Sequence, residues 1–126
     1  MFALPGTAYV YFTYGMQWCL NAVTEREGFP AAVLIRALEP LEGIDLMRRR
    51  RGLVDDRVLC AGPARLCEAL GITGAQNGRS LETGAVRILS GDRSRAPVAV
   101  TPRIGVSLAR DWPLRFVIAG SPWASR

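Results

Sequence analysis

The first 23 residues concentrate side chains that could bind a flat, apolar ligand. Five aromatic residues lie within one ten-residue stretch: Tyr9, Tyr11, Phe12, Tyr14 and Trp18. The β-branched and aromatic composition predicts two strands of a hairpin. Aromatic strands usually form core, but aromatic faces also stack on nucleobases, and a side chain at a hairpin tip can wedge between base steps. The hairpin is therefore either a core element or a platform for nucleic acid.

Missing residue types exclude several chemistries. The 126 residues contain no His, and all 16 basic residues are Arg. This rules out Ser-His-Asp and Cys-His catalysis and argues against zinc. The cysteines, Cys19, Cys60 and Cys67, are odd in number, so we expect buried, reduced thiols rather than disulfides or a metal site. We expect no metal and no other cofactor.

The net charge of +5 is unevenly distributed. Residues 1–47 carry two Arg and five acids, whereas residues 48–126 carry fourteen Arg and six acids. Guanidinium groups suit an anionic partner such as phosphate, although a basic, solvated surface explains the same charge. No apolar run reaches the roughly 20 residues of a membrane span, and no secretory signal is visible. We therefore expect a cytoplasmic protein without a membrane partner.

The remaining pattern predicts one α+β domain over residues 1–126, with a mainly antiparallel, partly open-barrel-like sheet, a protruding β-hairpin and short helices. Apolar or alternating runs predict strands at 9–14, 18–23, 31–38, 85–89, 103–107 and 114–118. Helical spacing predicts a helix over 41–51, which ends in four arginines. A second helix is predicted over 63–70, between Pro63 and Gly71.

Four blocks of sequence resemble the alkyladenine (3-methyladenine) DNA glycosylases, and they occur in family order. The blocks are Pro-Gly-Thr-Ala-Tyr-Val-Tyr-Phe-Thr-Tyr-Gly-Met at 5–16, Leu-Ile-Arg-Ala-Leu-Glu-Pro-Leu-Glu-Gly at 34–43 followed by Met47-Arg48, Gly-Pro-Ala-Arg-Leu-Cys-Glu-Ala-Leu-Gly-Ile at 62–72, and Gly-Ser-Pro-Trp at 120–123. The resemblance implies base-excision repair by a monomeric enzyme acting on double-stranded DNA. Such an enzyme flips an alkylated or deaminated purine out of the duplex and hydrolyses its N-glycosidic bond.

The resemblance implies two residues of a base pocket and one catalytic residue that positions the attacking water. Tyr11 resembles an aromatic residue that stacks on the flipped base. Asn21 resembles the asparagine that disfavours guanine by crowding its exocyclic amine, and Arg36 resembles the arginine that helps to hold the attacking water. From the pattern alone, Asn21 could instead be an edge-strand polar residue, and Arg36 a charge pointing out of a sheet edge.

The resemblance also implies four DNA contacts. Tyr14 resembles the tyrosine that intercalates where the nucleotide has left, and Met16 resembles a neighbouring minor-groove contact. Arg51 and Arg65 fall where the family has basic phosphate contacts. A solvated helix face is the alternative for the arginine run at 48–51.

The hairpin connection decides whether the pocket residues share a face. A two-residue Gly15-Met16 loop is the usual choice, but it would place Tyr11 and Asn21 on opposite faces. A three-residue loop over 15–17 would pair Tyr14 with Trp18 and Tyr11 with Asn21. We predict this odd-length connection or an equivalent bulge.

One departure from the family concerns its catalytic glutamate. In the family this residue lies upstream of the hairpin, in a Glu-Thr-Glu-Ala-Tyr-like segment, and such a segment is absent from the 126 residues. None of the nearby carboxylates, Glu25, Glu27, Glu39 and Glu42, matches a catalytic position. We therefore interpret the chain as an N-terminally truncated member with weak or no excision activity. The alternative is a non-catalytic module that binds damaged DNA.

Overall fold

The computed structural model describes residues 3–13, 15–28, 30–52, 55–91, 97–104 and 112–124. Its strands and helices are β1 (Ala8–Phe12), β2 (Trp18–Val23), β3 (Ala32–Leu34), α1 (Ile44–Arg51), α2 (Pro63–Leu70), β4 (Val98–Thr101) and β5 (Arg115–Ile118). Two short 3-10 helices, Asp56–Val58 and Gly74–Gln76, lie on either side of α2. This mixture of helices and antiparallel strands confirms the α+β class. In these ranges no helix is both long and apolar enough to cross a bilayer.

The first sheet has β2 at its centre, with β1 and β3 antiparallel on either side. Successive side chains of a strand point to opposite faces. Ala8 and Val10 of β1 and Leu20 of β2 therefore share one face, where they are buried in the core. The other face carries the residues from which a base pocket was expected.

The helices cover the core face of this sheet. α2 begins with Pro63 and ends before Gly71, which has a φ of 69° and donates its N–H to the last carbonyls of the helix. Leu66, Cys67 and Ala69 of α2 point inward with at most 1% of their surface exposed. All three cysteines are free and buried, as expected. Burial raises the pKa of the Cys67 thiol to about 11.

The second sheet is the β4–β5 pair, which is separate from the first in the described residues. Its register pairs Val98 with Ile118 and Val100 with Phe116, and all four side chains are exposed. The prediction of one partly open-barrel-like sheet is therefore not supported in the described parts of the chain. β4 itself was not predicted, although its alternating Val-Ala-Val-Thr sequence suits a short strand paired on one side.

Two further boundaries differ from the sequence predictions. α1 begins at Ile44, because Gly43 adopts the left-handed conformation with a φ of 71°. β3 ends at Leu34, and only an isolated bridge between Ala37 and Ala61 follows it.

Two other predictions concern strands at residues 85–89 and 103–107. Residues 85–89 form no strand. The N–H of Ile88 instead donates to the carbonyl of Leu81, which joins this segment to the residues just before it. Residues 103–104 lie outside any strand, and the rest of the strand predicted at 103–107 lies outside the described residues.

The arginines at the end of α1 join elements together. Arg48 donates to both carboxylate oxygens of Asp56, at 2.8 and 2.7 Å. Arg50 donates to the carbonyl of Ala69 at 3.0 Å. These bonds connect α1 to the following loop and to α2, so the run is more than a solvated helix face.

Arg51 makes the most buried of these connections. Its guanidinium donates to the carbonyls of Leu59 and Val58, at 3.1 and 3.2 Å, and lies 3.6 Å from Glu68. Only 13% of its side chain is exposed. These bonds give Arg51 a structural role, and the phosphate contact that was expected of it remains untested.

We expect Arg51→Ala to lower the free energy of unfolding by about 1–3 kcal/mol, because two loop carbonyls lose their donor. The neighbouring Arg49 is exposed, so Arg49→Ala is the matched control and should change stability by less than about 0.5 kcal/mol. Urea unfolding of both variants measures this. Equal stabilities would show that the Arg51 bonds contribute nothing.

Candidate functional site

The hairpin connection has an odd length, as predicted. The N–H of Thr13 donates to the carbonyl of Gln17 at 2.8 Å, which leaves residues 14–16 between them. Tyr11 therefore pairs with Cys19, and Tyr9 pairs with Asn21. The predicted Tyr11–Asn21 pair is wrong by two positions, but the prediction that the two side chains share a face is confirmed.

Met16 explains the shift in register. It has a φ of 58°, and its N–H donates to Thr13, so the turn closes one residue earlier than predicted. A non-glycine residue rarely adopts this left-handed conformation. The side chain of Met16 is 78% exposed, which is compatible with the expected minor-groove contact. Tyr14 lies outside the described residues, and its expected role as a wedge stays a prediction.

The face of the first sheet that points away from the helices is here called the site face. It is formed by Tyr9, Tyr11, Cys19, Asn21 and Leu34. The two tyrosine rings have centroids 5.5 Å apart and planes inclined at 36°. Tyr11 is 37% exposed, so its ring can accept a stacked partner.

Asn21 is fixed in the middle of this face. It lies on the central strand, which excludes the edge-strand alternative, and its partner on β3 is Leu34. The side chain is only 7% exposed, and its Nδ2 donates to the carbonyl of Tyr9 at 3.2 Å. A buried amide held in one orientation can discriminate between the edges of a base.

Tyr11 and Cys19 are coupled across β1 and β2. Burial raises the pKa of the Tyr11 hydroxyl, and the neighbouring Cys19 raises it further. Burial also raises the pKa of Cys19. Both groups are therefore neutral near pH 7, which keeps the site face apolar.

Arg36 follows β3 and lies close enough to Cys19 for its positive charge to oppose the rise that burial causes in the pKa of Cys19. Its side chain is half-buried, and its Nε is buried without a hydrogen-bond partner among the described residues. Burial lowers the pKa of Arg36, and the charges of Arg115 and Arg103 lower it further. An unpaired buried donor is unfavourable by about 1–3 kcal/mol, so such an arrangement suggests a site that is completed by another group.

A cleft of about 720 Å³ lies beside Arg36. One wall is the segment that includes β3, and the other comes from residues 103–104 and 114–117. Arg103 and Arg115 were not identified from the sequence, because both occur in segments that were predicted simply as strands. The structure adds them to the region around Arg36.

The exposed carboxylates do not act on this region. Glu25, Glu27, Glu39 and Glu42 are all exposed, and none is among the groups that shift the pKa of Arg36 in the described residues. Within those residues, the charged surroundings of Arg36 are therefore dominated by other arginines.

We expect Arg36→Met to leave the fold as stable or to stabilise it by about 1 kcal/mol, since it removes a buried unpaired donor and a repelled charge. The exposed Arg87 provides the control variant, Arg87→Met, which should be neutral. Urea unfolding measures both. A loss of more than about 1 kcal/mol in Arg36→Met would show that Arg36 stabilises the fold.

Arg65 lies in the first turn of α2 and is exposed. Its guanidinium makes a long hydrogen bond, 3.4 Å, from Nη1 to the carbonyl of Ala61. Unlike Arg51, it can therefore turn toward a phosphate group without breaking buried bonds.

Comparison of the sequence with those of known proteins shows the family to which the chain belongs. The family model described as "Methylpurine-DNA glycosylase (MPG)" matches residues 1–122. Proteins named "Putative 3-methyladenine DNA glycosylase" from Nitrosospira multiformis, Rhodopseudomonas palustris strain BisB18 and Nitrobacter winogradskyi are 53%, 48% and 48% identical over the whole chain. The chain spans 65%, 62% and 60% of their lengths. The chain belongs to the methylpurine-DNA glycosylase family.

Proposed function

We propose that this chain forms the base-binding and DNA-contacting part of a base-excision-repair glycosylase. Its partner is double-stranded DNA that contains alkylated or deaminated purines, and it binds as a monomer in the cytoplasm. The observation that carries the proposal is the site face, where Tyr11 and Asn21 lie together beside Arg36. Family membership supports the reaction class, the hydrolysis of an N-glycosidic bond.

The site face suits a purine that has left the duplex. The exposed ring of Tyr11 offers a stacking surface, and stacking contributes about 1–3 kcal/mol per base. Asn21 presents a fixed amide beside that ring, where it can test the substituents of the base. The neutral Tyr11 and Cys19 side chains make the surroundings apolar, and this favours a base over a phosphate group.

Met16 and Tyr14 fit the same function from the tip of the hairpin. A base that leaves the stack creates a gap, and an apolar or aromatic side chain can fill it. Tyr14 is proposed to fill that gap, and the exposed Met16 is proposed to contact the minor groove beside it. One hairpin would then supply both the wedge and the site face.

The hydrolytic step requires a proton acceptor in addition to these residues. Departure of the base leaves an oxocarbenium-like sugar, and a carboxylate is expected to activate the attacking water. The resemblance assigns Arg36 to holding that water, but a guanidinium cannot accept its proton. We therefore propose that these 126 residues bind damaged DNA but hydrolyse the bond slowly or not at all.

A non-catalytic damage-binding module is the second candidate. It is favoured by the surroundings of Arg36: burial lowers the pKa of this residue, and the charges of Arg115 and Arg103 lower it further. Both candidates require a preference for lesion-containing DNA. Incubation with a labelled hypoxanthine duplex tests them: binding with release of the base supports the glycosylase, and binding without release supports the module. Equal affinity for damaged and undamaged duplexes would contradict both.

Electrostatic contacts should be separable from lesion recognition. We expect Arg65→Ala to weaken binding to damaged and undamaged duplexes by the same factor, because phosphate contacts carry no sequence information. The slope of log K against log salt should fall by about one. Titrations at four salt concentrations measure both quantities. An unchanged slope would remove Arg65 from the DNA contacts.

A further inference from the structure

Residues 73–79, here called the brace loop, have a defined conformation of their own. The Thr73 hydroxyl accepts from the N–H of Ala75 at 3.2 Å, and the Gln76 side chain accepts from the N–H of Thr73 at 2.7 Å. These reciprocal bonds form a capping box around the 3-10 helix Gly74–Gln76. The loop directly follows α2 and its cap, so it is anchored to the core.

The brace loop holds the outer edge of β1. Asn77 Oδ1 accepts from the N–H of Val10 at 2.9 Å. The N–H of Gly78 donates to the carbonyl of Ala8, and the N–H of Ala8 donates to the carbonyl of Arg79, both at 2.8 Å. An edge strand would otherwise leave these groups unpaired. One strand of the hairpin is therefore bonded to the loop along its base.

The brace loop also touches the second strand of the hairpin. An added Cβ at Gly74 would lie 2.9 Å from Cη2 and 3.2 Å from Cζ3 of Trp18, which is closer than real contacts of this kind. The Trp18 ring in turn packs edge-on against Phe12, with ring centroids 4.7 Å apart. Gly74, Trp18 and Phe12 thus form a continuous chain of contacts from the brace loop to both strands near the tip.

Gly74 has no conformational reason to be glycine. Its φ is not in the left-handed region, unlike that of Gly78 in the same loop. Close approach to Trp18 is therefore the physical role that the structure gives to the missing side chain. A side chain at this position would force the indole ring of Trp18 to shift, and Phe12 of the other strand packs against that ring.

We propose that Gly74 and Trp18 are a positioning pair that sets the direction in which the hairpin tip projects toward DNA. The inference rests on the proposed function, because it assigns the tip to the duplex. Neither residue needs to touch DNA: the brace loop fixes the base of β1, and the Gly74–Trp18 contact fixes the start of β2. Lesion recognition should depend on this contact, whereas general attraction to phosphate should not.

The test is a double-mutant cycle with Gly74→Ala and Trp18→Phe. The readout is lesion preference, defined as the affinity for a hypoxanthine duplex divided by the affinity for the matched undamaged duplex. Gly74→Ala should lower this preference about fivefold to tenfold, because small displacements in a recognition site are costly. Affinity for the undamaged duplex should stay within about twofold, since that term is electrostatic.

The double variant, with both Gly74→Ala and Trp18→Phe, distinguishes a positioning role from general damage to the fold. Phenylalanine lacks the distal ring of Trp18 that a methyl group added at position 74 would strike, but it can still pack against Phe12. The double variant should therefore recover most of the lost preference, although Trp18→Phe alone gains nothing. Gly91 is the matched control, because a Cβ there meets nothing within 4 Å and its φ is not in the left-handed region. Gly91→Ala should leave the preference unchanged.

A second variant covers the case in which Gly74→Ala does not fold. Asn77→Ala removes the acceptor of Val10 on the other strand and should lower the preference in the same direction. Unchanged preference in a folded Gly74→Ala or Asn77→Ala, or a double variant no better than Gly74→Ala, would overturn the proposal. If the unmodified chain shows no preference at all, the proposed function fails first, and with it the inference that depends on it.

Discussion

The 126-residue chain should release hypoxanthine from a duplex about 10²–10⁴-fold more slowly than a chimera in which it is joined to the unmatched part of its Nitrosospira multiformis relative. The relative suits the chimera because it is 53% identical to this chain over the whole of the chain, which covers 65% of the relative. The short chain and the chimera share the same 126 residues, so only the added part differs between them.

The expected difference comes from general-base catalysis. Burial lowers the pKa of Arg36, and the charges of Arg115 and Arg103 lower it further. In the described residues, none of the exposed Glu25, Glu27, Glu39 and Glu42 is among the groups that shift this pKa. The guanidinium of Arg36 stays protonated, so the proton of the attacking water needs another acceptor. A carboxylate supplied by the chimera would provide one.

Single-turnover excision with excess protein measures the chemical step without a contribution from product release. The family resemblance implies a catalytic glutamate in a Glu-Thr-Glu-Ala-Tyr-like segment upstream of the hairpin. Replacing that glutamate by glutamine in the chimera is the matched control, and it should return the rate to that of the short chain. Comparable rates from the short chain and the chimera would show that a base is already present. The candidates for that base would then be Glu25, Glu27, Glu39 and Glu42.

Tyr14→Ala should weaken binding to a hypoxanthine duplex about 10-fold to 100-fold and leave binding to the undamaged duplex nearly unchanged. The magnitude corresponds to the loss of one aromatic stacking contact, about 1–3 kcal/mol. The selectivity follows because a wedge acts only where a base has left the stack. The expectation rests on the family resemblance and on the sequence, in which Tyr14 lies two residues before the exposed Met16.

Two variants sharpen this test. Tyr14→Phe keeps the ring and should retain most of the lesion preference, whereas Arg65→Ala should weaken both duplexes alike. Fluorescence anisotropy with matched duplexes at one salt concentration is sufficient. Equal losses on both duplexes for Tyr14→Ala would assign Tyr14 to general DNA attraction and would contradict its role as a wedge.

Local signals in the sequence were sufficient for the hairpin and for α2. Pro63 and Gly71 bound the helix as expected, because one suits a first turn and the other adopts the left-handed cap. The parity of the hairpin loop was also predictable, since only an odd loop places Tyr11 and Asn21 on one face. The exact register was not predictable, because it depends on the unusual φ of Met16.

Long-range interactions account for what the sequence did not reveal. Residues 85–89 have the composition of a strand, but the N–H of Ile88 pairs with Leu81 rather than with another strand. The structural bonds of Arg51 join segments that are distant from its helix face, and a run of four arginines does not reveal them. The proximity of Arg103 and Arg115 to Arg36 likewise depends on the tertiary fold.

The central claim is that the site face receives a purine extruded from the duplex. The most direct measurement is the fluorescence of 2-aminopurine placed next to hypoxanthine, because its emission rises when stacking is lost. At saturating concentrations of the 126-residue chain, emission should rise with the hypoxanthine duplex and remain unchanged with the undamaged one. Tyr11→Ala should reduce the rise, since the extruded base loses its stacking surface. No lesion-dependent rise at saturation, or an equal rise with both duplexes, would contradict the account.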